Sequence, residues 1–375
     1  RPVAAPLRAR GADPVDGDAL MNVAAQLPKF EGLRNERVTA SAQFDRDAGR
    51  FRNRARLAEP RPSVGTILEF FRGSEDREPK SPLPVVDPRP GWARPCGAGV
   101  RTTWLGHSSV LLELEGENGK RLRVLTDPVF GERASPVPFA GPRRFHEVPL
   151  VAAAIPVDVV LLSHDHYDHL CAETIASFAA REIPIVTSLG VGARLEALGV
   201  RPGKITELDW DESISLFGGE LRFRALPCQH FSGRSIGDRN RTLWSSFVVE
   251  TAKHKVFFSG DTGLFPEMAA LAKFGPFDLV MLEVGAFHPS WGTIHLGPEN
   301  ALEAHSMLGG GPFLPVHWAT FNLGLHPWRE PGEVLFGHYE SRDLPILFPQ
   351  IGEPFEPLDL LNQRQKPWWR DPTIR

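Results

Sequence analysis

Cysteine is scarce: Cys96, Cys171 and Cys228 are the only three in 375 residues, and they lie far apart. That excludes a disulfide framework and a cysteine-rich zinc site; manufacture in a reducing compartment fits, and export stays open. An excess of positive charge is also missing. Forty-two Lys and Arg face 46 Asp and Glu, a formal net charge of -4, so no global field exists to hold a long nucleic acid, and nucleic acid is set aside as a partner. No apolar run approaches the roughly 18 residues needed to cross a bilayer. The chain begins at Arg1, so an upstream signal or anchor is not excluded, and cytoplasmic and membrane-associated locations both stay open. A Gly-rich phosphate loop of the Walker type is likewise lacking, and Ser108, Ser109, Ser245 and Ser246 stand outside any Gly-x-Ser-x-Gly context, which leaves them with structural roles.

What is present reads as a globular chain with many turns: 42% hydrophobic and 23% charged residues, with 35 Gly and 35 Pro. Residues 1–98 show short apolar islands such as Thr66 to Phe71 without a sustained period, and are expected to form an arm wrapped on the body. Val110 to Leu114 and Leu122 to Leu125 flank Gly116-Glu117-Asn118-Gly119, a hairpin signature. Two further patterns recur: Val124-Leu125-Thr126-Asp127 with Phe257-Phe258-Ser259-Gly260-Asp261, and Pro156 to Leu162 with Pro276 to Leu282. Two related βα-containing halves would explain both, with helices over Pro298 to Leu308 and after His169 favouring layered α/β packing. The expected division is an arm over 1–98, a catalytic body over 99–345 and a tail over 346–375.

The stretch Leu161-Leu162-Ser163-His164-Asp165-His166-Tyr167-Asp168-His169-Leu170 follows a buried strand. If the strand continues, His164 and His166 point to one side and can share a cation, with Asp168 and His169 next in line. Imidazole and carboxylate suit Zn²⁺, and also iron or manganese. The plainer reading is a polar loop with Asp168 as a helix N-cap. Burying so many polar groups without partners costs about 1–3 kcal/mol each, which favours metal binding. His230, Asp261 and His317 each end a further apolar run and are candidates for the remaining ligands.

His164-Asp165-His166-Tyr167-Asp168-His169 matches the HxHxDH signature of the metallo-β-lactamase fold superfamily. The phrases Thr103-Trp104-Leu105-Gly106-His107, Leu125-Thr126-Asp127-Pro128, Gly141-Pro142-Arg143-Arg144-Phe145, Gly260-Asp261-Thr262-Gly263 and His317-Trp318-Ala319-Thr320-Phe321 resemble the N-acylphosphatidylethanolamine-hydrolysing phospholipase D group and its bacterial relatives. The resemblance runs from about Gly99 to Pro331. It implies an αββα sandwich with two zinc ions, one held by His164, His166 and His230, the other by Asp168, His169 and His317, with Asp261 between them. It also implies that Asp127 supports the ligands, where the alternative is a turn residue, and that His295 lies near the substrate phosphate, where the alternative is a helix cap. His107 is a supporting or turn residue. His288 stands where the lipid enzymes carry an acid.

The resemblance further implies a phosphodiesterase in which a hydroxide generated at the metal pair attacks phosphorus, with Asp168 and His295 as catalytic side chains, releasing phosphatidic acid and an N-acylethanolamine. A phospholipid or other phosphodiester is then the substrate, peripheral membrane contact is a candidate, and a second copy of the chain is a candidate partner. Phe70, Phe71, Phe287, Trp291 and Trp368-Trp369 are candidate apolar contacts, the tail Arg364 to Arg370 foremost among them. The alternatives are a hydrolase of another ester, lactone or soluble phosphodiester on the same scaffold, an iron-dependent redox protein and a non-catalytic lipid- or metal-binding module.

Overall fold

Alternate residues of the buried strands serve two different cores. The computed structural model describes residues 27–374 apart from 56, 58–62, 64, 67, 69–75, 138 and 236. In it, Val110, Leu112 and Leu114 of β4 (Val110–Glu115) face one cluster and Leu111 faces another. The same alternation divides Leu122 and Val124 from Leu125 in β5 (Arg121–Thr126), and Val159 and Leu161 from Val160 and Leu162 in β6 (Val159–Leu162). A strand that must fill both an inter-sheet core and a sheet-helix core reads as a continuous apolar run, as these do.

The first sheet has seven strands. β15 (Pro354–Phe355) lies at its edge beside β3 (Val100–Trp104), followed by β4, β5, β6, β7 (Ile185–Ser188) and β8 (Ile205–Leu208). The second has six: β14 (Phe313–Val316), β13 (Leu279–Glu283), β12 (Lys255–Phe258), β11 (Ser246–Glu250), β10 (Leu221–Leu226) and β9 (Ser213–Leu216). The β4–β5 hairpin has Leu112 opposite Val124, as expected. The two recurring patterns occupy equivalent places: β5 pairs in parallel with β6 (Leu125 opposite Val160), and β12 with β13 (Phe257 opposite Val280). Helices Ala172–Ala180 and Gly192–Ala197 cover the first sheet, and Gly297–Met307 contributes Ala301 and Ala304 to the core beneath the second. The result is an αββα sandwich.

The arm holds on through specific contacts. Helix Gly32–Ala40 places Arg34 against Glu196 at 2.7 Å and Glu207 at 2.6 Å. The ribbon of β1 (Phe44–Asp45) and β2 (Arg50–Phe51) buries Phe51. Arg101 forms a buried ion pair with Glu113 and also donates to the carbonyls of Gly91, Trp92 and Arg94, fastening the end of the arm to β3. Residues 346–375, expected as a tail, contribute β15, which pairs antiparallel with β3. Among the described residues no helix is long and apolar enough to cross a membrane.

Candidate metal centre

β6 stops at Leu162, so His164 and His166 stand on the following loop and the strand does not continue through them as expected. The helix behind the motif starts at Ala172 with Cys171 at the cap position and no side-chain cap, so Asp168 is not an N-cap. The helix after His295 begins at Gly297 with Leu296 at its cap and no side-chain cap, which removes the capping reading of His295 as well. Strand ends gather the remaining groups at one edge of the sandwich: Asp127 after β5, His230 beyond β10, Asp261 beyond β12 and His317 after β14. Carboxyl ends of strands are the general ligand-binding edge of such layered folds.

The side chains converge on Asp261. Its Oδ2 lies 3.1 Å from His169 Nε2, 3.2 Å from His317 Nε2, 3.6 Å from His230 Nε2 and 3.9 Å from His164 Nε2. Asp168 Oδ2 lies 3.2 Å from His317 Nε2 and 3.5 Å from His169 Nε2. Potential ligand atoms of His164, His166, His230 and Asp261 form one group within 4.8 Å of one another, and those of His107, Asp168, His169 and His317 form a second. Asp168 and His295, 14% and 11% exposed, mark the side open to solvent.

Supporting hydrogen bonds set each ring. His169 Nδ1 donates to Asp127 Oδ2 at 2.6 Å, and Asp127 also accepts from the Ser163 N–H and hydroxyl. His164 Nδ1 donates to Ser163 Oγ at 2.9 Å, and His230 Nδ1 to the Ile294 carbonyl at 2.8 Å. With Nδ1 protonated, the neutral rings of His164 and His230 carry Nε2 lone pairs toward the centre, and His169 does so once a cation displaces its Nε2 proton. The Nε2 atoms of His164 and His230 stand 2.8 and 3.3 Å from His166 Nδ1. His169 Nε2 and Asp261 Oδ1 are buried without a hydrogen-bond partner. Converging lone pairs and an orphaned carboxylate oxygen fit a cation, and the nitrogen and oxygen donor set fits a transition metal.

Electrostatics agree. Burial alone would raise Asp168 and Asp261, but the facing imidazoles, His169 first, hold both well below the usual carboxylate range. Burial would depress His317, yet Asp261 and Asp168 push it up to about 10, and the carboxylates Asp261, Asp168 and Asp127 likewise hold His169 well above its ordinary value. Burial and the charge of His169 press His164 well below. A metal ion entering such a site takes the place of the protons that balance these carboxylates.

Two contributions had no place in the sequence reading, and a third residue, His107, stood there between a supporting and a turn role. Glu283, at the end of β13, is fully buried; its Oε1 lies 3.1 Å from His295 Nδ1 and accepts the Leu296 N–H at 2.8 Å. The signal was available, since an acid closing an apolar strand repeats the logic that singled out Asp127 and Asp261. Asn53 of the arm donates to the His230 carbonyl at 2.7 Å and accepts the His230 N–H at 3.1 Å, so the arm positions a site residue; no local pattern announces that role. His107 reaches further than a turn residue: its Nε2 lies 3.1 Å from Asp168 Oδ2 and its N–H donates to Thr320 Oγ1.

The expected apolar contacts need correction. Trp368 and Trp369 are buried, packed with Trp104, Trp318, Phe336 and Phe348, so the tail aromatics fill the core and cannot meet a membrane. Phe287 is half-buried and stacks on His326 at 4.4 Å; Trp291, also half-buried, packs edge-on against His288. Phe70 and Phe71 lie outside the described residues. Phe139, at 81% exposure, stands in solvent, as do Leu33 and Val151.

Two facing mixed sheets with His and Asp clusters able to bind metal at one edge define a metal-dependent hydrolase of the metallo-β-lactamase fold. A family model described as a beta-lactamase superfamily domain matches residues 122–318, and the chain belongs to that superfamily. It is 40% identical over 310 residues to an uncharacterized protein of Mycobacterium tuberculosis, spanning 81% of this chain and 80% of that one. It is 32% identical over 281 residues to N-acyl-phosphatidylethanolamine-hydrolyzing phospholipase D 1 of Caenorhabditis elegans, spanning 70% of this chain and 77% of that enzyme. Among solved structures, the isothiocyanate hydrolase from Delia radicum gut bacteria shares the fold with a TM-score of 0.53 at 24% identity, over 68% of this chain and 98% of that one.

Proposed function

We propose that the protein is a dinuclear metal phosphodiesterase of phospholipase D type, cleaving N-acylphosphatidylethanolamine-like lipids to phosphatidic acid and an N-acylethanolamine. The observation that carries this reading is the placement of His295 at the open edge of the Asp261 cluster, in a chain that resembles the nematode lipid hydrolase over 77% of that enzyme. His164, His166 and His230 would hold one ion, Asp168, His169 and His317 the other, and Asp261 both. Zinc is the proposed metal, with iron or manganese as substitutes. Two ions there supply Lewis acidity and a water of near-neutral pKa.

The chain's own residues do the rest. Asp127, Ser163 and the Ile294 carbonyl lock the rings of His169, His164 and His230 with Nε2 inward. A phosphodiester enters from the side where Asp168 and His295 are exposed. His295, held at Nδ1 by Glu283, turns its other ring nitrogen away from that carboxylate, to donate to a phosphoryl oxygen and pass a proton to the departing alkoxide. Water oxygen adds to phosphorus, and the bond from phosphorus to the ethanolamine oxygen breaks.

The test is metal content by mass spectrometry together with N-acylethanolamine release before and after chelation. Two ions per chain with chelator-sensitive release supports the reading; two ions, no release and rapid opening of lactones overturns it in favour of another ester or lactone. His288, where the lipid enzymes carry an acid, is what favours that second reading. Glu283→Gln tests the role of His295 separately: metal content is expected to stay at the wild-type value while kcat falls by roughly 10–100-fold and KM changes little, because the ring loses its anionic anchor. Equal kcat in the variant would remove His295 from the proton path.

A further inference from the structure

We propose that the cleft between residues 78–82 of the arm and the loop 130–148 is a second anion site, built on Arg144 to receive a phosphate group. The cleft has a volume of about 540 Å³, and Lys80, Phe130, Arg143, Arg144 and His146 are among its walls. Arg144 is half-buried, and its contacts are with neutral groups. Its Nε donates to the Gly131 carbonyl at 3.2 Å, Nη2 donates to the Val129 carbonyl, Nη1 lies 3.5 Å from His146 Nε2, and the guanidinium sits 4.8 Å over the Phe321 ring.

Among the described residues no carboxylate stands within ion-pair distance of it, and burial draws its pKa down to about 10. Two deeply buried arginines show the contrast: Arg101 meets Glu113, and Arg194 meets Asp165 and Asp238. The acids around the cleft are engaged elsewhere or exposed. Glu132 pairs with Arg143 at 2.8 Å, Glu78 accepts from Asn322 at 2.9 Å, and Glu147 faces solvent. His146 brings no charge, since burial and then Arg144 hold it at about 3, and its Nδ1 donates to the Glu147 carbonyl.

A desolvated guanidinium without a counter-charge is unfavourable by itself. Of its five N–H groups the three contacts use at most three, so Nη protons remain for a bidentate oxyanion. The cleft exceeds a phosphate ion in volume, which fits an occupant that carries the phosphate on a larger body, lipid or soluble. It is one ring from the metal centre: Phe321 packs edge-on against His107 at 5.4 Å, and His107 contacts Asp168. The Arg144 site stands whether or not the protein cleaves lipids; a further lipid site at the metal centre rests on the phosphodiesterase reading.

The test is calorimetric titration of the metal-loaded full chain with dihexanoyl phosphatidic acid and, separately, inorganic phosphate. Wild-type protein is expected to show two sites for the lipid, one of them weakened about tenfold or more in Arg144→Gln and partly restored in Arg144→Lys. Lys80→Ala, a change at an exposed position, is expected to weaken the same site a few-fold. Loss of the second site for both ligands identifies the phosphate group as sufficient; loss for the lipid alone assigns it to a lipid-borne phosphate. Wild-type titrations in a folded Arg144→Gln protein overturn the proposal, and should that variant not fold, unchanged affinity in both Arg144→Lys and Lys80→Ala overturns it equally.

Discussion

Asp261→Asn is expected to lower bound metal from two ions per chain to one or none, and to reduce hydrolysis on the order of 10³-fold or more. The exchange keeps size and shape while removing the charge. Four imidazole nitrogens face Asp261 Oδ2 between 3.1 and 3.9 Å, and its other oxygen, Oδ1, is buried without a partner. Asp168 comes within ion-pair distance of His107, His169 and His317 and, among the described residues, of no ring in the His164, His166 and His230 group, so it cannot take Asp261's place there. An amide would leave that group with neutral donors only and present an N–H where a lone pair is required. Metal analysis by mass spectrometry on variant and wild type, purified alike, reads the outcome. Two ions retained in Asp261→Asn would take away the shared-ligand role, whatever happened to turnover.

Much of this edge could be read beforehand because period and burial act locally. Val159 to Leu162 and Leu279 to Leu282 are apolar on consecutive positions since each strand faces a core on both sides, and such runs announce themselves without any alignment. The groups that close them, Asp127, His164, His230, Asp261 and His317, were therefore visible as polar residues ending buried strands. The loop geometry was not. His164 and His166 reach the centre from a loop whose direction depends on Ser163, Asp127 and Arg194, and no two-residue period encodes that. Contacts across long separations were equally silent: Asn53 meets His230 from 177 positions away, and Trp368 and Trp369 look amphipathic beside Lys366 and Arg370 until Trp104 and Trp318 are found packed against them. An aromatic and basic segment has the same composition whether its rings face lipid or core.

Arg194→Met is expected to destabilise the folded chain by about 3–5 kcal/mol in urea unfolding, the range for breaking one partner out of a buried ion pair. Arg194 is enclosed between two buried carboxylates, 3.2 Å from Asp165 Oδ2 and in close contact with Asp238 Oδ2. Asp165 sits between His164 and His166, and its Oδ1 accepts the Gly233 N–H at 2.9 Å. Asp238 in turn accepts the N–H groups of Arg234 and Ser235, while Arg234 donates to the Asp165 and Leu170 carbonyls. The cluster thus ties the metal-motif loop to the loop that follows His230, and removing the Arg194 guanidinium takes the direct ion-pair partner from two carboxylates held away from water. Arg222, paired with Glu250 at 3.7 Å on the surface, gives the contrast: Arg222→Met is expected to change stability by about 0.5 kcal/mol or less. Adding Asp165→Asn to Arg194→Met should recover part of the loss, since the second change removes one of those carboxylate charges. If both arginine variants unfolded at the same urea concentration, the buried cluster would be no stronger a brace than a surface pair, and the rigidity of the His164 to His169 loop would have to come from Asp127 and Ser163 alone.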